Sequence, residues 1–328
     1  MGESGPSVPR GLPEAGGRVP FVEFCRAALY DSAGGYYAAE RARVGARPGT
    51  DFMTNLAVRS VFAPLVVDAV RSLLGDADLR GFRFVEVGAE PGTSLLADRD
   101  HPFREVSLVR LGDPVPALSG PVVLFANEWL DARPFVRMCF EGGRWREVFV
   151  AGGEDGVYRE ERGDPASGDA LRLLPDLPAA APEGYRFDLS VEAESVLGAY
   201  LEGGWKGLFL TFDYGSSWEA LARHLPGGTA RAYRNHRQTD DLLGDPGSKD
   251  LTCNVCWDRL AAVLSRHGFR VGGPLRQEAF FLEKSARAVR RIVEAGQDGS
   301  ARAARSRMLQ LLHPAHFGAA FQAFWGIR

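Results

Sequence analysis

The segment 122–134, VVLFANEWLDARP, is the part of the sequence that most limits the fold. Its first five residues are apolar without interruption, which predicts a strand buried on both faces in the middle of a parallel sheet. Open α/β sheets bind ligands beyond the carboxyl ends of their strands. The sequence therefore places Asn127 and Glu128, and then Asp131, at a candidate binding edge. An open alternative is that Asn127 caps a following helix and Glu128 is solvated.

Length and composition agree with a globular α/β protein. The 328 residues, 45% hydrophobic and 25% charged, suit one large domain with insertions or two small ones. A net charge of −3 argues against a general nucleic-acid or membrane-surface binder, and no apolar run approaches the ~20 residues needed to span a bilayer. We expect a cytoplasmic protein whose Gly/Pro-rich residues 1–20 form a disordered arm, not a signal peptide.

The cysteines predict neither a disulfide framework nor a metal site. Four of them, Cys25, Cys139, Cys253 and Cys256, are too few to hold together a chain of this size. The last two form a C-x-x-C pair, but zinc would need a second ligand pair, which the sequence lacks. We expect structural thiols.

A glycine turn follows an earlier predicted strand, residues 82–87. The turn, Gly88-Ala-Glu-Pro-Gly92-Thr93, precedes a short predicted helix at 94–99. A strand that enters a glycine turn and then a helix is how backbone N–H groups meet a nucleotide-type cofactor. Residues 105–111 predict the next strand, whose tip carries Arg110 where many such sites place an acid that binds ribose.

The remaining pattern alternates helices and strands. Predicted elements are an amphipathic helix at 21–30, a long helix at 58–73, a hairpin at 135–140 and 144–150, strands at 185–189 and 207–212, a helix at 191–201 begun by Ser190, a helix at 258–267 and a closing strand near the end. The strand at 207–212 ends at Asp213 and Tyr214. An arginine-rich helical stretch, 284–312, is typical of a solvated face, with docking of an acidic partner as the alternative.

Several motifs in fixed order resemble one known family, over roughly residues 20–328. They are Ala28-Leu29-Tyr30 with Gly35-Tyr36-Tyr37, Asp51-Phe52-Met53-Thr54, Glu86-Val87-Gly88 with Gly92-Thr93, Ala126-Asn127-Glu128-Trp129-Leu130-Asp131-Ala132-Arg133-Pro134, Asp213-Tyr214-Gly215, Asp250-Leu251-Thr252 and Leu312-His313-Pro314. The chain resembles the mitochondrial complex I assembly methyltransferases and their bacterial counterparts, which depend on S-adenosyl-L-methionine and methylate arginine nitrogens of a protein substrate.

The resemblance implies a fold and a set of roles. The fold would be an α/β, class I (Rossmann-like) methyltransferase domain over residues 21–328, with a helical cap at 21–75 and an insertion at 135–184. The implied site residues are Asn127, Glu128 and Asp131 for catalysis, Glu86, Gly88, Gly92, Thr93 and Thr54 around the cofactor, and Asp213 and Tyr214 along the substrate channel. No metal is implied.

Two departures from the family keep other functions open. Glu90 stands where the family's loop has a glycine, which adds a side chain and a charge where the backbone should approach the cofactor. Arg110 stands where an acid is expected. These features favour the alternative of a methyltransferase-like binding or assembly factor that does not hold the cofactor. A nucleotide-dependent oxidoreductase is a third hypothesis, weakened because G-x-G-x-x-G does not occur in the turn.

Overall fold

The computed structural model describes residues 8–38 and 54–328. Its strands are β1 (Arg18–Pro20), β2 (Arg83–Val87), β3 (Glu105–Val109), β4 (Pro121–Asn127), β5 (Val136–Glu141), β6 (Arg144–Gly152), β7 (Tyr158–Gly163), β8 (Arg186–Leu189), β9 (Lys206–Asp213), β10 (Gly215–Ser216), β11 (Arg231–Arg234), β12 (Arg237–Thr239), β13 (Asp250–Thr252), β14 (Val255–Cys256), β15 (Arg270–Arg276) and β16 (Gln322–Ile327).

The α-helices are α1 (Phe21–Tyr30), α2 (Arg59–Leu73), α3 (Gly168–Leu173), α4 (Val191–Leu201), α5 (Trp257–Arg266), α6 (Gln277–Lys284), α7 (Ala286–Glu294) and α8 (Gly299–Leu312). Short 3₁₀ turns lie at Asn55–Val58, Leu79–Gly81 and Leu174–Asp176, and short π-helical turns at Ala220–His224 and Pro314–Gly318. No described helix has the length and apolar character to cross a membrane.

The chain divides into two compact units, each assembled from separate segments. Unit 1 takes in Met1–Arg41, Leu130–Ser195 and Ser216–Asp258, and unit 2 takes in Ala42–Trp129, Val196–Gly215 and Arg259–Arg328. The sequence-based division into a cap at 21–75 and an insertion at 135–184 stays a prediction.

Unit 2 is built on a mixed sheet with the order β15-β16-β9-β4-β2-β3. Four of its strands, β3, β2, β4 and β9, run parallel to one another. Strand β16 is antiparallel to both of its neighbours, β9 and β15. Strand β4 lies between β2 and β9, and its residues 122–126 are buried. The apolar run at the start of segment 122–134 is thus a central strand of an α/β sheet, as its pattern predicts.

Aromatic side chains form the centre of the hydrophobic core of unit 2. The ring of Phe62 on α2 lies 5.3 Å from Phe212 on β9, 5.9 Å from Phe281 on α6 and 6.3 Å from Phe125 on β4. All four side chains are fully buried. Because burial of one such ring stabilises the fold by roughly 1.5–3 kcal/mol, this cluster holds α2 and α6 against the sheet that carries the candidate site.

Unit 1 contains an antiparallel sheet in the order β1-β6-β5-β8, with β7 paired to β6. The hairpin of β5 and β6 confirms the strands expected at 135–150. Strand β1, at Arg18–Pro20, lies within the predicted disordered arm, so this part of the arm is ordered by its pairing with β6. Residues 1–7 of the arm lie outside the described residues.

Ser190 begins α4 as the sequence predicts. Its hydroxyl accepts a hydrogen bond from the N–H of Ala193 at 3.1 Å and donates one to the carbonyl of Pro134 at 2.9 Å. The first bond satisfies an N–H that the first turn of a helix leaves unpaired.

Candidate active site

The ends of three parallel strands meet at one edge of the unit 2 sheet. In the ladder, Val87 of β2 is level with Ala126 of β4, and Asn127 is level with Phe212 of β9. Gly88 and Glu128 follow β2 and β4, and Asp213 is the last residue of β9, so these three residues lie at the same edge of the sheet. This edge is where open α/β sheets bind ligands, and three of the predicted site segments converge on it.

Asn127 and Glu128 form a directly bonded pair at the tip of β4. The side-chain Nδ2 of Asn127 donates to Oε1 of Glu128 at 2.8 Å, and both residues are partly exposed. The backbone of Glu128 has φ +49°, in the left-handed region, while its N–H is held by the carbonyl of Phe212 at 2.8 Å. A non-glycine residue in this conformation costs roughly 1–2 kcal/mol. The sheet supports this strain and turns the chain so that the amide and carboxylate come together, and no helix follows Asn127.

A second buried amide continues this pair. Asn55, in the 3₁₀ turn before α2, is fully buried, and its Nδ2 donates to Oδ1 of Asn127 at 3.0 Å. Sequence reasoning missed Asn55, whose only signal is its position directly after Thr54. Thr54 is itself buried and accepts a hydrogen bond from the N–H of Leu56, so its hydroxyl begins the 3₁₀ turn. The motif residues 51–53 lie outside the described residues.

Asp213 joins the tips of β4 and β9 through backbone groups. It is fully buried, and its carboxylate accepts from the N–H of Trp129 at 3.3 Å and from the N–H of Tyr214 at 2.8 Å. The Tyr214 ring packs on Phe321 with centroids 4.4 Å apart. These contacts give Asp213 a positioning task at the strand tips. A role for Asp213 and Tyr214 along a substrate channel stays a prediction.

The side chain of Glu86 holds the loop that contains the glycine turn. Its carboxylate is 3% exposed and accepts from the N–H of Leu95 through both oxygens, at 3.0 and 2.8 Å. Burial raises the pKa of Glu86 to about 7, against the opposing effects of the Leu95 hydrogen bond and the positive charge of Arg59. Glu86, which the sequence predicts to border the cofactor, therefore binds the loop that follows β2.

Gly88 is required by both its backbone and its neighbour. It has φ +74°, and an added Cβ would lie 2.6 Å from Cδ1 of Trp129. The N–H groups of Gly88 and Ala89 both donate to the carbonyl of Val109 on β3. Gly92 also has a left-handed backbone, φ +69°, but no atom of residues 8–38 or 54–328 lies within 4 Å of its Cβ position. Among these residues the turn is therefore packed on the Gly88 side and open on the Gly92 side.

The helix predicted at 94–99 does not form. Arg59 donates to the carbonyl of Ser94 at 3.0 Å, a carbonyl that would accept from residue 98 in a helix, and Glu86 holds the N–H of Leu95. Arg59 also binds Asp98 through two hydrogen bonds of 3.0 and 2.7 Å. The prediction was wrong because contacts from a distant helix and strand outcompete the weak helical preference of a six-residue segment. Thr93 precedes this segment, and its N–H donates to the carbonyl of Glu90 at 3.1 Å.

An acid does lie at the tip of β3. Arg110, the residue that the sequence places there, is exposed, and its backbone N–H donates to Oδ2 of Asp113 at 2.8 Å. The tip of this strand therefore presents an exposed carboxylate from three residues further along the chain.

Asp131 lies in unit 1, whereas Asn127 and Glu128 lie in unit 2. Asp131 is 4% exposed, and its backbone carbonyl accepts from the N–H of Cys253 at 3.1 Å. Cys253 is a buried free thiol, as are the other three cysteines, and burial raises its pKa well above the ordinary value. Among the described residues no group of His, Cys, Asp or Glu has the arrangement of a metal site.

Comparisons with known proteins agree on one kind of protein. The model of a family of S-adenosyl-L-methionine-dependent methyltransferases matches residues 104–275. The chain is 27% identical over 168 residues to the mitochondrial protein arginine methyltransferase NDUFAF7 homologue of Drosophila melanogaster; the alignment covers 48% of this chain and 36% of the fly protein.

The fold is similar to that of a Burkholderia thailandensis protein crystallised with S-adenosyl-homocysteine. That structure has a TM-score of 0.79 and 22% identity, with 95% of this chain and 88% of the other covered. A native structure of an uncharacterised protein from the same bacterium has a TM-score of 0.78 and 21% sequence identity, with the same coverage of both chains.

Proposed function

Because the chain belongs to the family of S-adenosyl-L-methionine-dependent methyltransferases whose model matches more than half of it, we propose that it transfers the methyl group of S-adenosyl-L-methionine to an arginine side chain of a protein. The observation that carries the proposal is the hydrogen-bonded pair of Asn127 and Glu128, which leaves β4 beside the glycine turn of β2. The similarity to an arginine methyltransferase of the fly supports the choice of substrate.

The sheet order supports a class I arrangement for unit 2. Four parallel strands, β3, β2, β4 and β9, are followed at one side by β16, which is antiparallel to β9, and then by β15, which is antiparallel to β16 and so runs in the direction of the first four. A cofactor bound at the carboxyl ends of these strands would lie beside the turn after β2 and the tips of β3 and β4. We therefore assign the cofactor to the edge formed by β2, β3 and β4.

The described residues fit an adenosyl cofactor on the open side of the glycine turn. No described residue fills the space beside the Cβ position of Gly92, so a ligand could approach the backbone closely there. Asp113, at the tip of β3, would bind the ribose hydroxyls that such an acid binds in related sites. Gly88 and Glu86 would act indirectly, since their polar groups hold the turn itself.

The residues at the tip of β4 suit a guanidinium substrate. S-adenosyl-L-methionine supplies an electrophilic methyl group on a sulfonium. The Glu128 carboxylate only accepts hydrogen bonds, so it matches the N–H groups of arginine. Asn127 holds that carboxylate through its side-chain NH₂. Alignment of the nucleophilic nitrogen with the methyl group is the main requirement of such a transfer, and orientation supplies about 7–11 kcal/mol in favourable cases. The negative charge of Glu128 would stabilise the guanidinium in that position. The N–CH₃ bond would form as the S–CH₃ bond of the sulfonium breaks, S-adenosyl-homocysteine would leave, and the Glu128 carboxylate would accept the proton that the nitrogen loses.

The test combines binding and turnover. We expect S-adenosyl-homocysteine to bind the purified chain in isothermal titration, and tritium from the methyl group of S-adenosyl-L-methionine to appear in methylarginine after hydrolysis of arginine-containing peptides. Glu128→Gln should lower transfer about 100-fold or more, while Glu202→Gln, at an exposed position of the same unit, should not change it. No binding heat at millimolar ligand would remove the proposal.

One observation favours a second candidate, a docking or assembly role without the cofactor. The N–H groups of Gly88 and Ala89 are bonded to Val109, so they do not face a ligand, and the helix expected after the turn does not form. On this alternative, Glu90→Gly combined with Arg110→Glu should create cofactor binding that the unchanged chain lacks. Strong binding of S-adenosyl-homocysteine by the unchanged chain would rule it out.

A further inference from the structure

The polar groups at the tip of β4 form a hydrogen-bond series with one direction. Nδ2 of Asn55 donates to Oδ1 of Asn127 at 3.0 Å, and Nδ2 of Asn127 donates to Oε1 of Glu128 at 2.8 Å. Asn55 is fully buried and lies outside every motif that pointed to the function. All three residues belong to unit 2.

The direction of the series depends on Asn55. A side-chain amide offers an oxygen on one branch and an NH₂ on the other, and a rotation of 180° exchanges them. A carboxylate accepts only, so Glu128 is bonded when the NH₂ of Asn127 faces it. The amide oxygen of Asn127 then faces position 55, where a donor must stand. Asparagine supplies that donor.

The buried side chain of Asn55 lowers the stability of the fold. Its Oδ1 is buried and has no hydrogen-bond partner in the described part of the chain. An unpaired buried carbonyl lowers stability, and an apolar side chain of similar size, such as leucine, would not have one. An unpaired buried polar group in a folded protein calls for an explanation, and a catalytic role is one of several. What distinguishes Asn55 from other such groups is that its NH₂ donates to Asn127 in the candidate site.

We infer that Asn55 is a positioning residue for the reacting pair: its donated hydrogen bond fixes the orientation of the Asn127 amide, and through it the Glu128 carboxylate that holds the substrate guanidinium. The expected effect on kcat rests on the proposed methyl transfer, whereas the hydrogen-bond series from Asn55 to Glu128 does not.

The matched variants are Asn55→Leu and Gln277→Leu. Gln277 is also a fully buried amide of unit 2 with an unpaired oxygen, and its Nε2 donates to the carbonyl of Leu311 in α8. We expect Asn55→Leu to lower kcat for methyl transfer to an arginine peptide about 10- to 100-fold, with unchanged affinity for S-adenosyl-homocysteine and no fall in Tm. Gln277→Leu should leave kcat unchanged. Equal kcat in Asn55→Leu and the unchanged chain would overturn the inference.

Asn55→Asp gives a second test through pH. When the new carboxyl is ionised it cannot donate, so the Asn127 amide turns over and presents its oxygen to Glu128. When the carboxyl is protonated it donates again. The ratio of kcat in this variant to kcat in the unchanged chain should therefore rise as the pH falls. Use of the ratio removes the effect of groups that titrate in both chains, such as Glu86. A ratio that does not depend on pH contradicts the inference.

A spectroscopic test keeps the inference separate from the proposed function. The chain has four asparagines, at positions 55, 127, 235 and 254, so selective ¹⁵N-asparagine labelling gives four side-chain NH₂ signals that single substitutions can assign. Asn55→Leu should shift the Asn127 signal and leave those of 235 and 254 in place. An unmoved Asn127 signal overturns the inference. A chain that neither binds S-adenosyl-homocysteine nor transfers methyl groups refutes the proposed function instead, whatever this signal does.

Discussion

Glu86→Gln should remove a pH dependence of stability that the buried carboxyl imposes. The pKa of Glu86 is raised from its ordinary value of 4.5 to about 7, chiefly by burial. The folded chain therefore holds a proton that the unfolded chain has lost between these pH values. This contribution to stability is fully present below pH 4.5 and is lost as the pH rises through 7. Since each pH unit between the two values corresponds to about 1.4 kcal/mol, ionised Glu86 lowers the free energy of unfolding by about 3 kcal/mol above pH 7.

The assay is urea unfolding of both chains at pH 5 and pH 8, followed by far-ultraviolet circular dichroism. Glutamine keeps one oxygen to accept from the N–H of Leu95, so the loop contact survives in the variant. The stability of the variant relative to the unchanged chain should rise by roughly 2–3 kcal/mol from pH 5 to pH 8. Glu105→Gln, at an exposed position in the same sheet, serves as the control. If Glu86→Gln and the unchanged chain keep the same stability difference at both pH values, the assigned burial effect is wrong.

Four further substitutions test the packing of the site and its supports. Gly88→Ala should destabilise the chain by more than Gly92→Ala. Both add roughly 1–2 kcal/mol of left-handed backbone strain, but only the first places a methyl group 2.6 Å from Trp129. Equal losses of stability in thermal unfolding would contradict this. Asp213→Asn should cost about 1–3 kcal/mol, since one of two buried backbone N–H groups loses its acceptor, and denaturant unfolding that matches the unchanged chain would refute it. Ser190→Ala should cost about 1 kcal/mol through loss of the cap of α4, visible as faster amide exchange in its first turn and refuted by unchanged exchange there.

Local sequence patterns predicted many of the elements that build the fold. The apolar run of segment 122–134 gave the central strand β4, the spacing of residues 21–30 gave α1 with the observed bounds, and Ser190 marked the start of α4. These predictions succeed because burial of an apolar face and the capping of a helix end depend on residues that are close in sequence. The same patterns failed at 94–99, where Glu86 and Arg59 reach the backbone from other elements.

The sequence by itself determined that an amide and a carboxylate follow a buried strand, that a glycine turn follows another, and which family carries these motifs in this order. Only the tertiary structure decided what each polar group bonds to: Asn55 reaches Asn127 across 72 positions, and Asp213 reaches the N–H of Trp129 across 84. The physical reason is that a hydrogen bond depends on distances and directions between atoms, which the pairing of β2, β4 and β9 fixes only after distant segments have come together.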